Sequence, residues 1–571
     1  MPHKKSLRRF YLIIASFFVA FLIFIFKLAS IYFFQSQYLT KLAAMQQNLY
    51  VEIPASRGLI YDRNFRPLAV NKRSFSVFAV PKEINDKDKV AFLLSKLLDL
   101  DKDFILERIS RKKNFVWIKR KIPDEISEKI RQEKISGVFL LKEEERSYPG
   151  IYLAAHILGF VNIDNEGLEG IELVYNRYLK GKPGYAYFIR DAHQNVLKLE
   201  NTDRLPVNGY NLILTIDEVI QYFVEEALDQ AFKKHNAQGA CVVVMKPDTG
   251  EILALANRPT FDPNAPQSFT TESRRNRAIC DFFEPGSVFK IVTACAALEE
   301  NQFKETDKIF CENGEYKISN HILHDHRPHG VLTFREVFSL SSNIGVCKIA
   351  QKLGLAKVCY YAKQFGFGQA SGIELPGEVD GRLKSLKDYS NTSIAAVPMG
   401  QEVTVTALQL ATAISVIANG GNYVKPYIVD RIEDSFGEVI QQHGPKILRR
   451  VISVETSNRV KSILKDVVDN GTAKMAKSND YEFAGKTGTA QKIDSQGGYS
   501  HSKFYASFIG FAPVENPKLA IAVVFDEPHP YYYGGVVAAP VFKQIAEQAL
   551  KYIEVNEKFR PELEVAKLDK D

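Results

Sequence analysis

Glu284-Pro285-Gly286-Ser287-Val288-Phe289-Lys290, running directly into Ile291-Val292-Thr293-Ala294-Cys295-Ala296-Ala297-Leu298-Glu299, is the stretch on which the reading of this chain turns. Pro285-Gly286 interrupts what precedes it, and the residues that follow have helical composition with no further breaker. Ser287 therefore falls at or beside a helix N-terminus, where unpaired backbone N–H groups favour developing negative charge. Lys290 lies three residues on, on the same face and one turn inward. A serine beside a lysine in apolar surroundings can act as nucleophile and base, because burial lowers the pKa of an amine. Ser-x-x-Lys also recurs by chance as an N-cap serine and a surface lysine. The rest of the chain has to decide between the two.

Around this stretch the texture is that of a large α/β domain. Upstream, a helix over 218–234 precedes the strand Ala240-Cys241-Val242-Val243-Val244-Met245. Lys246-Pro247-Asp248-Thr249-Gly250-Glu251 then turns the chain into a return strand, Ile252-Leu253-Ala254-Leu255-Ala256. Downstream, helical segments dominate over 333–365 and 404–418. Strands return at 481–491, 505–512 and 518–525, before a terminal helix near 541–553. A helical block between a strand pair and three later strands implies a sheet whose middle strands are distant in sequence.

The remaining chain fixes the setting. Lys4, Lys5, Arg8 and Arg9 precede an uncharged run from Phe10 to Phe26, and apolar character resumes after Lys27 through Phe34. About 20 apolar residues cross a bilayer as a helix, and a lysine near one end can snorkel. A cleaved signal peptide would have a shorter core and a small-residue site, which Leu28-Ala29-Ser30 supplies poorly. The basic flank places the N-terminus in the cytoplasm and the body outside, as a single-pass protein. Residues 35–50 read as a polar continuation of the helix. Residues 51–205 read as a mixed α+β module, with strand-like Ser74-Phe75-Ser76-Val77-Phe78-Ala79-Val80, a helical stretch over 86–111 and another over 171–179.

Composition excludes other classes. Of 571 residues, 46% are apolar and 25% charged, ordinary for a folded protein. A net charge of +7 with no basic-aromatic array gives no sign of nucleic-acid binding. The six cysteines include no Cys-x-x-Cys pair and read as buried free thiols, with a single disulfide as the minority case. His321, His324, His326 and His329 resemble a metal cluster, but they sit in a proline-containing loop; no metal and no cofactor are expected.

Two further motifs bear on Ser287. Leu340-Ser341-Ser342-Asn343-Ile344-Gly345 lies between helical segments. Ser341 can relay a proton there, and the Asn343 amide can donate and accept toward a peptide, although Ser-Ser-Asn is also a common capping sequence. Gly485-Lys486-Thr487-Gly488-Thr489-Ala490 lies in a strand, where glycine marks close backbone approach. Alternation puts Thr487 and Thr489 on one face and Lys486 on the other. A P-loop is ruled out because Asp480 stands where its first glycine would be.

Ser287-x-x-Lys290, Ser341-x-Asn343 and Lys486-Thr487-Gly488, in that order, form the motif trio of penicillin-binding proteins and class A β-lactamases. Along nearly its whole length the chain resembles the class B penicillin-binding proteins, monofunctional peptidoglycan DD-transpeptidases. Arg57-Gly58-Leu59-Ile60-Tyr61-Asp62-Arg63-Asn64 resembles the opening of that family's pedestal domain. Arg146-Ser147-Tyr148-Pro149, Glu166-Gly167-Leu168-Glu169-Gly170-Ile171-Glu172, Val403-Thr404-Val405-Thr406 with Gln409-Leu410, and Ala418-Asn419-Gly420-Gly421 also resemble family segments. Ile53-Pro54-Ala55 and Phe115-Val116-Trp117-Ile118-Lys119-Arg120 are similar to the septal branch rather than the elongation branch. Phe65 departs from the family, which usually has glycine there, so the turn is expected to differ locally.

The resemblance implies a cytoplasmic tail over 1–9, a transmembrane helix over 10–34, a juxtamembrane linker helix over 35–50, a pedestal over 51–205, a transpeptidase domain over 210–555 and a tail over 556–571. Its fold would be a membrane anchor, an α+β pedestal, and an α/β serine-transpeptidase domain with an antiparallel-type sheet flanked by helices and a helical subdomain inserted. It implies Ser287 as nucleophile, Lys290 as base, Ser341 as proton relay, Asn343 on the donor peptide, Lys486 as positive potential, and Thr487, Gly488 and Thr489 as the substrate strand. Implied partners are peptidoglycan stem peptides ending in D-Ala-D-Ala, β-lactams, the inner membrane, a polytopic glycan polymerase and other divisome proteins. An elongation enzyme of the same family, a β-lactam sensor and a β-lactamase are the rival readings. The anchor and pedestal argue against a lactamase, and the short segment before the span argues against a sensor.

Overall fold

The structure, a computed structural model, describes residues 3–113, 115–190, 196–318, 321–494 and 498–568. Its contacts divide the chain into two compact units, Met1–Ser56 with Gly181–Asn208, and Arg57–Lys180 with Gly209–Asp571.

In the first unit a helix over His3–Ser30 continues through Ile31–Gln35 into Ser36–Gln47. Within Leu7–Lys41 an 18-residue window has a mean hydropathy of 2.7 and is not buried at all against protein. At 1.5 Å per residue such a helix exceeds the roughly 30 Å hydrocarbon thickness. The expected linker helix stops at Gln47, and 48–50 open the strand Asn48–Ile53 instead. That strand pairs antiparallel with Gly184–Arg190, which pairs in turn with Val196–Arg204. β-Branched and aromatic residues, Tyr50, Val51 and Ile53, favour the pleat.

The second unit is organised around a five-stranded antiparallel sheet, numbered here β1 (Gly239–Met245), β2 (Ile252–Arg258), β3 (Ala484–Ile493), β4 (Tyr499–Ala512) and β5 (Leu519–Asp526), in the order β2-β1-β5-β4-β3. The middle strands are thus distant in sequence, as the strand pattern implied. β1 and β5 are buried almost throughout, which their unbroken apolar runs require. The helices that position the site are α1 (Glu218–Lys234), α2 (Lys290–Glu299), α3 (Asn343–Leu353), α4 (Ala407–Ala418), α5 (Val454–Asp469) and α6 (Gly534–Leu568). α1 and α6 pack together on the sheet, α4 lies against β1, β4 and β5, and α5 contacts β3. Every residue of α4 is buried, so a helix apolar all round serves as a core rod.

Several local expectations shift. The helix expected over 86–111 is two, Lys87–Leu98 and Lys102–Ser110, broken where Asp99 turns to φ 52°. β4 begins at Tyr499 rather than 505, because its polar start is held by pairing with β3 and not by a buried face. The tail expected over 556–571 is helical to Leu568, as its Glu- and Lys-rich composition allows once α6 is nucleated by packing.

Arg57–Lys180 is tied to the rest of the second unit by one mixed sheet. In it Ile60–Tyr61 runs parallel to Asn211–Leu214, which pairs with Val429–Glu433. The family-like segments meet at a buried triad. Glu172 accepts from Arg57 Nε at 2.7 Å and from Arg146 Nε at 2.6 Å, and Tyr148 donates to it at 3.3 Å. Arg57 also holds the Asn165 carbonyl and Asn176, while Arg146 holds the Gly58 carbonyl and Asn71. Such a triad is costly to break because one partner's loss strands buried charge. Nearby, Phe65 takes φ 62°, the conformation a glycine would adopt, and Asp62 Oδ1 closes the turn on Asn64 N and Arg66 N. A side chain other than glycine held in this left-handed conformation costs about 1–2 kcal/mol.

Candidate active site

The turn that carries Ser287 forms where the Pro285-Gly286 breaker predicts it. Gly286, at φ 57°, opens a short 3₁₀ turn, Gly286–Phe289, that runs into α2. Gly286 N donates to Gly400 O at 3.1 Å, and Phe283 exchanges both backbone bonds with Val405. The Val403-Thr404-Val405 segment is therefore the strap that fixes the turn. Ser287 is half-buried at the start of the helix, while Val288, Phe289 and Lys290 are buried.

Lys290 points into the protein, fully buried. Its Nζ donates to Ser341 O and to Asn343 Oδ1, both at 2.7 Å, and lies 3.2 Å from Ser341 Oγ. A carbonyl and an amide oxygen can only accept, so these two contacts use two N–H bonds and leave the third position facing hydroxyl. Burial lowers the Lys290 pKa to about 7, with Asp325 pulling the other way. Near neutral pH the third position is therefore a lone pair as often as a proton.

Ser341 sits between two amines, since Lys486 Nζ donates to its Oγ at 2.9 Å from the opposite strand. Its φ of 62° is unusual for serine and stores about 1–3 kcal/mol at this position. Ser342 then caps α3, with its Oγ accepting from Gly345 N at 2.9 Å. Asp325, from a loop 18 residues upstream of Asn343, accepts from Asn343 N at 2.5 Å, Ile344 N at 3.0 Å and Ser342 Oγ at 2.6 Å. The same carboxylate thus orients the whole Ser341-Ser342-Asn343 turn and lies near Lys290. The Asn343 side chain is engaged on both sides, Oδ1 by Lys290 and Nδ2 by His324 O at 2.9 Å, which leaves one amide hydrogen for a ligand.

β3 supplies the third wall. Lys486 is buried, and burial together with repulsion from Lys290 pushes its pKa well down. Two ammonium groups are not both favoured in this pocket, so a negatively charged ligand is what would favour charge on Lys486. A Cβ at Gly488 would meet Pro285 O at 2.9 Å and Ser507 Oγ at 2.3 Å, which is why glycine lies against the Ser287 turn. Thr487 Oγ1 meets Thr472 Oγ1 at 2.9 Å, and Thr489 Oγ1 accepts from Gly534 N at 3.1 Å, leaving its own hydrogen to donate. Tyr533 stacks on His326 with ring centroids 5.2 Å apart, and Tyr532 on Phe504 at 4.1 Å.

All eight sequence-selected residues fall on these three converging segments. Asp325, Thr472 and Gly400 join the site only through the fold. Asp325 lay within the histidine-rich loop, where its capping of a helix 18 residues later leaves no local signal. Among the described residues no three His, Cys, Asp or Glu side chains are grouped to hold a metal; the His321 side chain lies outside the described residues. The six cysteines are free thiols, five of them buried.

Residues 240–547 match the family described as the penicillin binding protein transpeptidase domain, and residues 52–214 match the penicillin-binding protein dimerisation domain. Stage V sporulation protein D of Bacillus subtilis is 35% identical over 547 residues, covering 94% of this chain and 84% of that protein. A probable peptidoglycan D,D-transpeptidase, PenA, of Neisseria meningitidis is 33% identical over 511 residues, covering 88% and 86%. The crystal structure of penicillin binding protein 3 from Mycobacterium tuberculosis, complexed with aztreonam, superimposes with a TM-score of 0.70 at 28% identity over 88% of this chain and 98% of that one. With a dimerisation domain followed by a transpeptidase domain that alone spans more than half of the residues, the chain belongs to the class B penicillin-binding proteins.

Proposed function

We propose that Ser287 is the nucleophile of a serine D,D-transpeptidase that cross-links peptidoglycan stem peptides. The observation that carries this is the convergence of Lys290 and Lys486 on the Ser341 hydroxyl, from segments about 50 to 200 residues apart in the chain. Ser287 Oγ attacks the penultimate D-Ala carbonyl, and its proton passes to neutral Lys290. The Ser287 and Thr489 N–H groups receive the oxyanion, a contribution of about 3–4 kcal/mol per donor. The proton then moves through Ser341 to the departing D-Ala amine, closing the acyl-enzyme. Asn343 holds the donor peptide with its remaining amide hydrogen. Thr487 and Thr489 hold the terminal carboxylate, whose charge favours protonated Lys486, and Gly488 lets the strand approach. An acceptor amine relieves the ester by the reverse proton path, with no cofactor. A β-lactam presents the same carbonyl and carboxylate and acylates Ser287. The PenA relative is a probable peptidoglycan D,D-transpeptidase by name, which supports this reading.

The apolar helix supports membrane anchoring. Its basic flank favours a cytoplasmic N-terminus in the inner membrane, with the catalytic body outside. The septal-like segments favour a division role beside a polytopic glycan polymerase and other divisome proteins. The relative named for sporulation favours a second role, in a spore wall. Uptake of a fluorescent β-lactam by purified protein, and its loss in Ser287→Ala, test the chemistry; labelling that survives the substitution refutes it. Depletion separates the roles: filaments mean septal work, round cells elongation, and normal growth with defective spores the second reading.

A further inference from the structure

The turn that carries Ser287 and the strand that carries Thr489 meet along a seam. A Cβ at Gly286 would lie 2.9 Å from Thr489 O and 3.2 Å from the Ala490 Cβ, and one at Gly488 would lie 2.9 Å from Pro285 O. Phe283 stacks on Tyr505 of β4 with ring centroids 4.9 Å apart. These are packing contacts, which have little directionality of their own. The two N–H groups assigned to the oxyanion, those of Ser287 and Thr489, stand on opposite sides of the seam. Their spacing depends on how firmly the two sides are held together.

Glu284 bonds across this seam. It is buried, one residue before Pro285-Gly286. Tyr499, the first residue of β4, donates to its Oε2 at 3.0 Å and lies 3.3 Å from Oε1. Oε1 also accepts from Glu402 N at 2.8 Å. Glu402 lies two residues beyond Gly400, whose carbonyl accepts from Gly286 N at 3.1 Å. Glu402 takes φ 58°, a conformation that persists in a residue other than glycine only where its neighbours fix it. They do so here, because its own carboxylate accepts from Lys384 Nζ at 2.6 Å and from Ser393 Oγ at 3.0 Å. One buried carboxylate therefore joins the Ser287 turn, the strap after Gly400 and the strand pair that bears Thr487 and Thr489. Bonds to a carboxylate are short and directional, so they fix positions that packing alone leaves free to slide.

We propose, on the reading of Ser287 as nucleophile and Thr489 as oxyanion donor, that Glu284 is a positioning residue for acylation, holding the Ser287 turn at its distance from β3 and β4. The oxyanion exists only once attack has begun, so a loosened seam slows acylation and leaves the preceding binding step alone. The test uses the full chain and a fluorescent penicillin in stopped flow, where the concentration dependence of labelling separates the noncovalent Kd from the acylation rate constant. Glu284→Ala should lower the rate constant at least ~10-fold with Kd within ~3-fold of wild type, as misplacement of reacting groups does. Glu284→Gln keeps an acceptor for Glu402 N and a polar end for Tyr499, and should recover most of the rate. Tyr499→Phe removes one hydroxyl from an exposed side chain. It should slow acylation at least ~3-fold, with no further loss when added to Glu284→Ala, as expected of two groups acting through one contact. Wild type that takes up no label speaks against the Ser287 chemistry itself. Where wild type is labelled, an undiminished rate constant in Glu284→Ala, a loss carried by Kd, Glu284→Gln as slow as Glu284→Ala, or an additive Tyr499→Phe effect would each overturn the positioning role. An unslowed Tyr499→Phe would do so even if Glu284→Ala does not fold.

Discussion

Acylation should depend on pH through Lys290. A base must be neutral to take the Ser287 proton, and burial places this amine's pKa at about 7. The neutral fraction is then about one tenth at pH 6 and about nine tenths at pH 8, so acylation should fall about 10-fold between them. The groups facing Lys290 are the Lys486 amine, the Asp325 carboxylate, and the neutral side chains of Ser341 and Asn343. Asp325 favours the charged amine, so Asp325→Asn should move the acid limb to lower pH while lowering the plateau, because the Asn343 turn loses its charged acceptor. The assay is the second-order rate of labelling by a fluorescent penicillin under subsaturating conditions, from pH 5.5 to 9, in both proteins. A rate that stays flat between pH 6 and 8, or a limb that moves upward in Asp325→Asn, would refute Lys290 as the titrating base.

The same depressed pKa has a stability counterpart. With a folded value of about 7 against 10.5, the unfolded chain binds more protons between those values, so this group's penalty shrinks as pH rises. Relative to Lys290→Met, wild type should gain about 2–3 kcal/mol from pH 6 to pH 9 in urea unfolding, and no pH-dependent difference would exclude a buried titrating amine. Gly488→Ala places a Cβ against Pro285 O and Ser507 Oγ, so β-lactam acylation should slow at least ~10-fold through misplacement of the turn, with stopped-flow labelling as the check. Glu172→Ala strands Arg57 and Arg146 in a buried site and should destabilise the second unit by about 3–5 kcal/mol in denaturant titration.

The sequence already contained the serine, the two lysines and the strands, because each has a local signature. A Pro-Gly break before a helix, an alternating strand interrupted by glycine and an apolar run flanked by basic residues all act over a few residues. Their order resembles the motif trio of penicillin-binding proteins, and that resemblance is what joins the three segments into one expected site. Sequence could not show that Lys290 spends its hydrogens on Ser341 and Asn343 rather than standing idle beside Ser287. Nor could it show that Asp325 caps a helix 18 residues away, that Gly400 grips the Ser287 turn, or that two lysines compete for one charge. Those features are interactions between segments far apart in the chain. Burial and facing partners, which exist only once the sheet has brought the segments together, set the amine's basicity and the strained angle at Ser341.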